Sequence, residues 1–115
     1  FVGAEELNYF GLKNGADGLV PSLANPFPKV LAAAWKASRE GDWEACKKHC
    51  DLVDEMNKLN RFSDSWMSPN IWRKEALAQM GIMSAAFTKP YIPVSEDDKK
   101  KIAEWISYYK TNYGE

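Results

Sequence analysis

Cys46, His49 and Cys50 stand three and four residues apart, and on a helix that spacing gathers two thiols and an imidazole on one face, the donor types a zinc ion takes. Three ligands are one short of a closed structural site, and both thiols fall on the apolar stripe of their helix. The spacing is therefore read as two reduced core cysteines of a cytosolic protein, with no metal. Cysteines one turn apart on one helix also make a poor disulfide pair. A second candidate is the adjacent carboxylates Glu5 and Glu6, which open a helical pattern and so suit the positive end of its dipole. The third is aromatic. Of five tryptophans, Trp35, Trp43, Trp72 and Trp105 fall on helical stripes and are expected in the core, whereas Trp66 lies in a loop and stays open as a ligand contact.

These side chains need elements to hold them. Residues 5–14 read as a helix stopped by Asn14-Gly15. Leu19 and Val20, closed in by Gly18 and Pro21, give a buried strand of only a few residues. The order of strand end, helix, strand, helix implies a parallel sheet. Everything downstream is helical in pattern. Residues 27–40 carry Val30, Leu31, Ala34, Trp35 and Ser38 on one face and end at Gly41. Residues 43–61 follow an Asp42 cap, with Cys46, Cys50, Val53, Met56, Leu59 and Asn60 at the same period. Residues 69–80 open at Ser68-Pro69 and close at Gly81. Residues 96–112 follow a Ser95 cap, with Glu96, Asp97 and Asp98 at the positive end and Ile102, Trp105, Ile106 and Tyr109 as the buried stripe. Between them, Phe62 to Met67 is a loop, and residues 87–93, with two prolines, are extended.

Composition excludes whole classes. With 115 residues and a net charge of −1, nucleic acid is not an expected partner, and Lys99-Lys100-Lys101 reads as a solvated helix face. No apolar run approaches the roughly 20 residues of a membrane span, so no membrane partner is expected. Two short strands are too few for a sheet, however, and Phe1-Val2-Gly3 resembles the tail of a strand arriving at a glycine. The expectation is a piece of a larger α/β protein, its C-terminal part.

The run Gly3-Ala4-Glu5-Glu6, followed by Gly15-Ala16-Asp17-Gly18-Leu19-Val20-Pro21-Ser22-Leu23-Ala24-Asn25, resembles the last two βα units of the dihydrodipicolinate synthase and N-acetylneuraminate lyase family. Glu40-Gly41-Asp42-Trp43-Glu44-Ala45 is similar to that family's turn into extra C-terminal helices, and Lys74-Glu75-Ala76-Leu77 with Gly81 to the helix after it. Pro90-Tyr91-Ile92-Pro93 resembles the family's Arg-Leu-Pro stretch, but with Thr88-Lys89 in place of the Arg-Leu pair. The resemblance implies the C-terminal fragment of a TIM (β/α)8 barrel. Residues 1–40 would be its last one to two βα units and residues 41–115 a helical extension, so that the piece by itself is mostly helical.

It also implies a cytoplasmic, homo-oligomeric, pyruvate-dependent class I aldolase or lyase that acts on a 2-keto-acid such as a sugar acid and needs no cofactor. A lysine on the sixth barrel strand would form the Schiff base and a tyrosine on the fifth would relay protons, both upstream of Phe1 and supplied by the remainder of the barrel. An iminium serves there as the electron sink for carbon bond cleavage. No lysine of this chain matches a strand end at a barrel mouth. Lys13, Lys29, Lys36, Lys47, Lys48 and Lys58 all fall on amphipathic helices, so no catalytic residue is expected here and the chain alone should be inactive. The residues matching the substrate pocket are Gly3, Glu5, Glu6 and Ser22, which would bind substrate hydroxyls, and Val20, whose carbonyl would face the pyruvate-derived part. The rival reading is a stand-alone helical interaction domain without catalytic activity, its five helices burying one core.

Overall fold

The computed structural model describes residues 1–59, 68–89 and 92–114. The expected loop at residues 62–67 with Trp66, the stripe position Asn60 and the pair Pro90-Tyr91 lie outside them. The chain forms two compact units, Phe1–Asn57 and Lys58–Glu115. Within the first, the helices on the two sides of residues 40 and 41 pack closely together.

In the first unit, two 3₁₀ turns and three helices follow one strand contact. Val2 and Leu19 form a parallel bridge, in which the Val2 N–H donates to the Gly18 carbonyl (3.0 Å) and the Val20 N–H to the Val2 carbonyl (2.7 Å). The expected buried strand is reduced to this bridge. Leu19 is half-buried and Val20 exposed, since Pro21 ends the extended run and only one neighbouring strand residue pairs with it. From the bridge the chain passes through a 3₁₀ turn, Glu5–Leu7, into α1 (Asn8–Lys13). After the bridge residue Leu19 a second turn, Ser22–Ala24, leads to α2 (Pro28–Glu40), which opens with proline at its first position.

Gly41 adopts φ +76°, and the Asp42 N–H reaches back to the Ala37 carbonyl (2.9 Å), a helix stop that favours glycine. The Asp42 carboxylate then accepts from the Ala45 N–H (3.0 Å) and caps α3 (Trp43–Asn57). Alanines at 34 and 37 let α2 and α3 approach, and Leu12, Ala34, Ala37, Cys46 and Cys50 make one apolar cluster with Tyr9, Leu19, Trp43 and Ala45 around it. The α3 stripe is buried as spaced, through Cys46, Cys50, Val53 and Met56.

Trp35 departs from its expected place in the core. It is 41% exposed, and the α2 face turns to Ala37 instead. Its indole N–H donates to the Asp17 carbonyl (3.0 Å), the Arg39 guanidinium donates to the same oxygen (3.1 Å), and Arg39 lies 5.4 Å from the indole centroid. A surface carbonyl satisfies an indole N–H that an alanine-rich core could not. The two side chains thereby pin the loop that precedes Leu19.

Gly11 allows α1 to lie against Val2, because a Cβ there would collide with the Val2 side chain. Gly11→Ala sets a helix-propensity gain of about 1 kcal/mol against an overpacking cost of about 1 to 3 kcal/mol. The clash should win. Urea denaturation is expected to show a net loss of about 1 kcal/mol, and a stabilised variant would mean that this approach is loose.

The second unit pairs α4 (Ser68–Gln79) with α5 (Glu96–Tyr113). Ile71, Trp72 and Ala76 of α4 and Ile102, Ile106 and Tyr109 of α5 are buried, while Trp105 is half-buried and stands edge-on to Tyr108. Gly81 follows α4 with φ +76°. Ser95 caps α5, its hydroxyl accepting from the Asp98 N–H (3.2 Å). The lysine triplet is engaged within the same helix, Lys99 with Glu96 (2.7 Å), Lys100 with Asp97 (3.4 Å) and Lys101 with Asp98 (3.3 Å). Among the described residues no helix is long and apolar enough to cross a membrane.

Candidate functional site

Parallel pairing of Val2 with Leu19 sends both chains out of the bridge in the same direction, so residues just after each emerge at one shared edge. Glu5 and Ser22 occupy that edge and touch. The Ser22 hydroxyl donates to Glu5 Oε1 (2.7 Å), and the Leu23 N–H donates to the same oxygen (3.1 Å). Glu5 is 8% exposed and Ser22 half-buried. A carboxylate in that position takes up a first-turn N–H of Ser22–Ala24, a donor with no partner of its own inside so short a turn. Glu5 thus does sit at a helical N-terminus, but that of the neighbouring turn.

The other residues expected at the pocket are arranged around this bond unequally. Gly3 is exposed, with the Val20 carbonyl 4.0 Å from where its Cβ would be. Val20 is exposed as well. Glu6 is exposed and does not join Ser22. Its charge instead adds to that of Asp51 in raising the Asp54 carboxyl above the ordinary range, an effect led by the partial burial of Asp54. The structure brings Glu5 and Ser22 into contact, sets Gly3 and Val20 on adjoining strand ends, and leaves Glu6 on the side of α3.

Two features were not read from the sequence. Leu23 contributes through its backbone, which no residue-type pattern can reveal. Asn8 is fully buried with neither amide atom partnered among the described residues, and one Asp54 oxygen is likewise buried without a partner. Asn8 stands directly after the turn that carries Glu5, where a helical pattern gives no sign of an inward polar residue. In the second unit, an open cavity of about 400 Å³ is lined by Asn70, Lys74, Ala86, Phe87 and Thr88. Lys74 is committed there, donating to the Ala86 carbonyl (2.8 Å) and lying 4.8 Å from the Phe87 centroid.

Among the described residues no group of three His, Cys, Asp or Glu side chains could hold a metal ion. Cys46 and Cys50 are buried free thiols. Burial pushes Cys50 up to about 12, aided by Cys46, and raises Cys46 in the same direction; burial also lowers the His49 imidazole, with the Lys48 charge assisting. A thiol whose folded value lies above its unfolded one is protonated in both states below about pH 8.5. As pH rises from there towards 12, only the unfolded chain loses the proton, so stability should fall across that window. Iodoacetamide at pH 8 is expected to leave both cysteines unmodified until denaturant is added. Fast labelling of the folded chain would contradict their burial.

The six lysines expected on helical surfaces are all exposed, and Lys36 and Lys47 form ion pairs with Glu40 (3.8 Å) and Asp51 (2.6 Å).

Known proteins extend the comparison. Two solved dihydrodipicolinate synthases share the fold. That of Bacteroides thetaiotaomicron superposes with a TM-score of 0.80 at 24% identity over 93% of this chain and 36% of the other. That of Aquifex aeolicus gives 0.76 at 19% identity over 98% and 37%. The 4-hydroxy-tetrahydrodipicolinate synthase of Chlorobaculum parvum is 33% identical over 85 residues, which are 74% of this chain and 27% of that protein. The same enzyme of Campylobacter jejuni is 28% identical over 109 residues, 94% of this chain and 35% of that protein. The chain thus spans about a third of the length of the relatives it matches. Its fold is correspondingly the C-terminal part of their TIM barrel, one parallel strand contact with its helices and the helices that follow. The sequence model described as the Dihydrodipicolinate synthetase family matches residues 1–109, and the chain belongs to that family.

Proposed function

We propose that these residues work as part of a pyruvate-dependent Schiff-base lyase or aldolase, contributing one wall of its substrate pocket. Residues 1–40 would be the last βα units of the barrel and residues 41–115 its helical extension. The lysine nucleophile would come from the rest of the barrel, outside these 115 residues. The observation that carries this reading is the Glu5–Ser22 hydrogen bond, which ties together the ends of two parallel strand segments on the edge where barrel enzymes bind their ligands. Gly3, Glu5, Val20 and Ser22 form that wall, presenting backbone and side-chain oxygens to a 2-keto-acid substrate, while Glu6 stands apart on the side of α3. Hydroxyl-rich substrates suit such a lining, because carboxylates and carbonyls accept from several hydroxyls at once.

The test is borohydride trapping. An iminium formed when a lysine amine condenses with the pyruvate keto group, releasing water, is reduced to a stable secondary amine. The intact polypeptide that contains this segment should gain one pyruvate-derived mass on a lysine outside it, and the 115-residue chain alone should gain none. An adduct on any lysine of this chain, or none on the intact polypeptide, would overturn the reading.

A further inference from the structure

We propose that the cavity of the second unit binds a small organic carboxylate with an apolar body, its charge held by the Lys74 ammonium with the Asn70 amide and Thr88 hydroxyl, and its body packed on the Phe87 ring. The site stands independently of the lyase reading.

The sign of the ligand follows from Lys74. Its ammonium donates to the Ala86 carbonyl (2.8 Å) and lies 4.8 Å from the Phe87 centroid, so both of these partners are uncharged. Lys36, Lys47 and the triplet Lys99, Lys100 and Lys101 each meet a carboxylate of their own helix. Among the described residues Lys74 meets none, and no acidic residue lines the cavity, so its charge is not offset there. An ammonium has three N–H groups and can only donate, and the carbonyl takes one of them. Tethering to a carbonyl twelve residues on also fixes the flexible stem before a ligand arrives, which removes much of the ordering cost that a free surface lysine brings to binding.

The rest of the lining sets the shape. Asn70 precedes Lys74 by one turn of α4 and shares its face, while Thr88 lies just past the residues that hold the ammonium. Among the described residues neither the Asn70 nor the Thr88 side chain has a hydrogen-bond partner, which leaves an amide and a hydroxyl to donate to a carboxylate. Ala86 and the half-buried Phe87 supply the apolar wall. A volume of about 400 Å³ falls within the roughly 300 to 1,000 Å³ of small-molecule sites and admits a six-carbon ring bearing one carboxylate. A bare inorganic anion would leave the Phe87 ring unused.

Calorimetric titration of the intact polypeptide with benzoate, benzamide and acetate separates charge from shape. Benzoate should bind about tenfold or more tightly than benzamide, which keeps the ring without the charge, and than acetate, which keeps the charge without the ring. Lys74→Met retains an apolar stem and should weaken benzoate about tenfold or more, with benzamide held within about twofold. Asn70→Ala and Thr88→Val should each weaken benzoate about two- to fivefold. Both positions are exposed, so where Lys74→Met does not fold by circular dichroism this pair decides. Benzamide or acetate binding as tightly as benzoate overturns the proposal, and so does the absence of benzoate binding. Unchanged benzoate affinity in Lys74→Met, or in both Asn70→Ala and Thr88→Val, also overturns it, because the carboxylate then binds elsewhere on the polypeptide. No lysine adduct is read in these titrations, so their failure leaves the borohydride test of the lyase reading untouched.

Discussion

Phe27→Ala should destabilise residues 1–57 by about 3 to 5 kcal/mol, the cost of deleting a fully buried aromatic side chain and leaving its cavity. Phe27 is 0% exposed, as are Leu23 and Val30 four residues before and three after it, and its N–H donates to the Leu23 carbonyl (3.0 Å). It therefore joins the turn that holds Ser22 to the start of α2. Native domains are stable by only about 5 to 15 kcal/mol, so one such loss consumes much of the margin. Phe27→Leu keeps most of the apolar volume and should cost about 1 to 2 kcal/mol. The check is the urea midpoint of each variant by circular dichroism. A loss below about 1 kcal/mol for alanine would mean that the cavity collapses freely and that Phe27 does not anchor the turn.

Much of this architecture was legible because local chemistry dictates it. Gly41 with Asp42, Pro28, Ser95 and Gly81 mark helix ends by backbone conformation or capping, and those marks act on their immediate neighbours whatever the rest of the chain does. Helices over residues 28–40, 43–57 and 96–113 accordingly fall within a few residues of expectation. Trp35 was misplaced for a related reason. Periodicity assigns it to the edge of a stripe but is blind to its N–H, and a carbonyl supplied by Asp17, eighteen residues away, drew the ring to the surface. Val20 was misjudged because burial of a strand depends on how many neighbours it has, and here it has one. At the candidate site, the residue types were readable but the bond was not. Glu5 looks like an acid at the start of its own helix, and only the parallel bridge brings it to the next turn. Glu6, its neighbour and chemical equal, points elsewhere because adjacent residues of a helical turn cannot share a direction.

That bond also sets the second large effect. Glu5→Ala is expected to destabilise the first unit by roughly 2 to 4 kcal/mol, since it removes two charge-assisted hydrogen bonds and strands a donor. The losses are unequal. Ser22 is half-buried, and water can replace the carboxylate at its hydroxyl, whereas the Leu23 N–H belongs to a residue with 0% exposure and finds no substitute. Most of the cost should therefore persist in a background that already carries Ser22→Ala. Glu5→Gln keeps an oxygen for Leu23 and should lose only about 1 kcal/mol, the difference between a charged and a neutral acceptor. A double-mutant cycle between Glu5→Ala and Ser22→Ala isolates the side-chain pair and should give a coupling of about 1 kcal/mol, with the remainder of the Glu5 effect assigned to the turn. A coupling as large as the whole Glu5→Ala effect would reverse that division. The carboxylate would then act through the serine hydroxyl alone, and the Ser22–Ala24 turn would hold its shape without it.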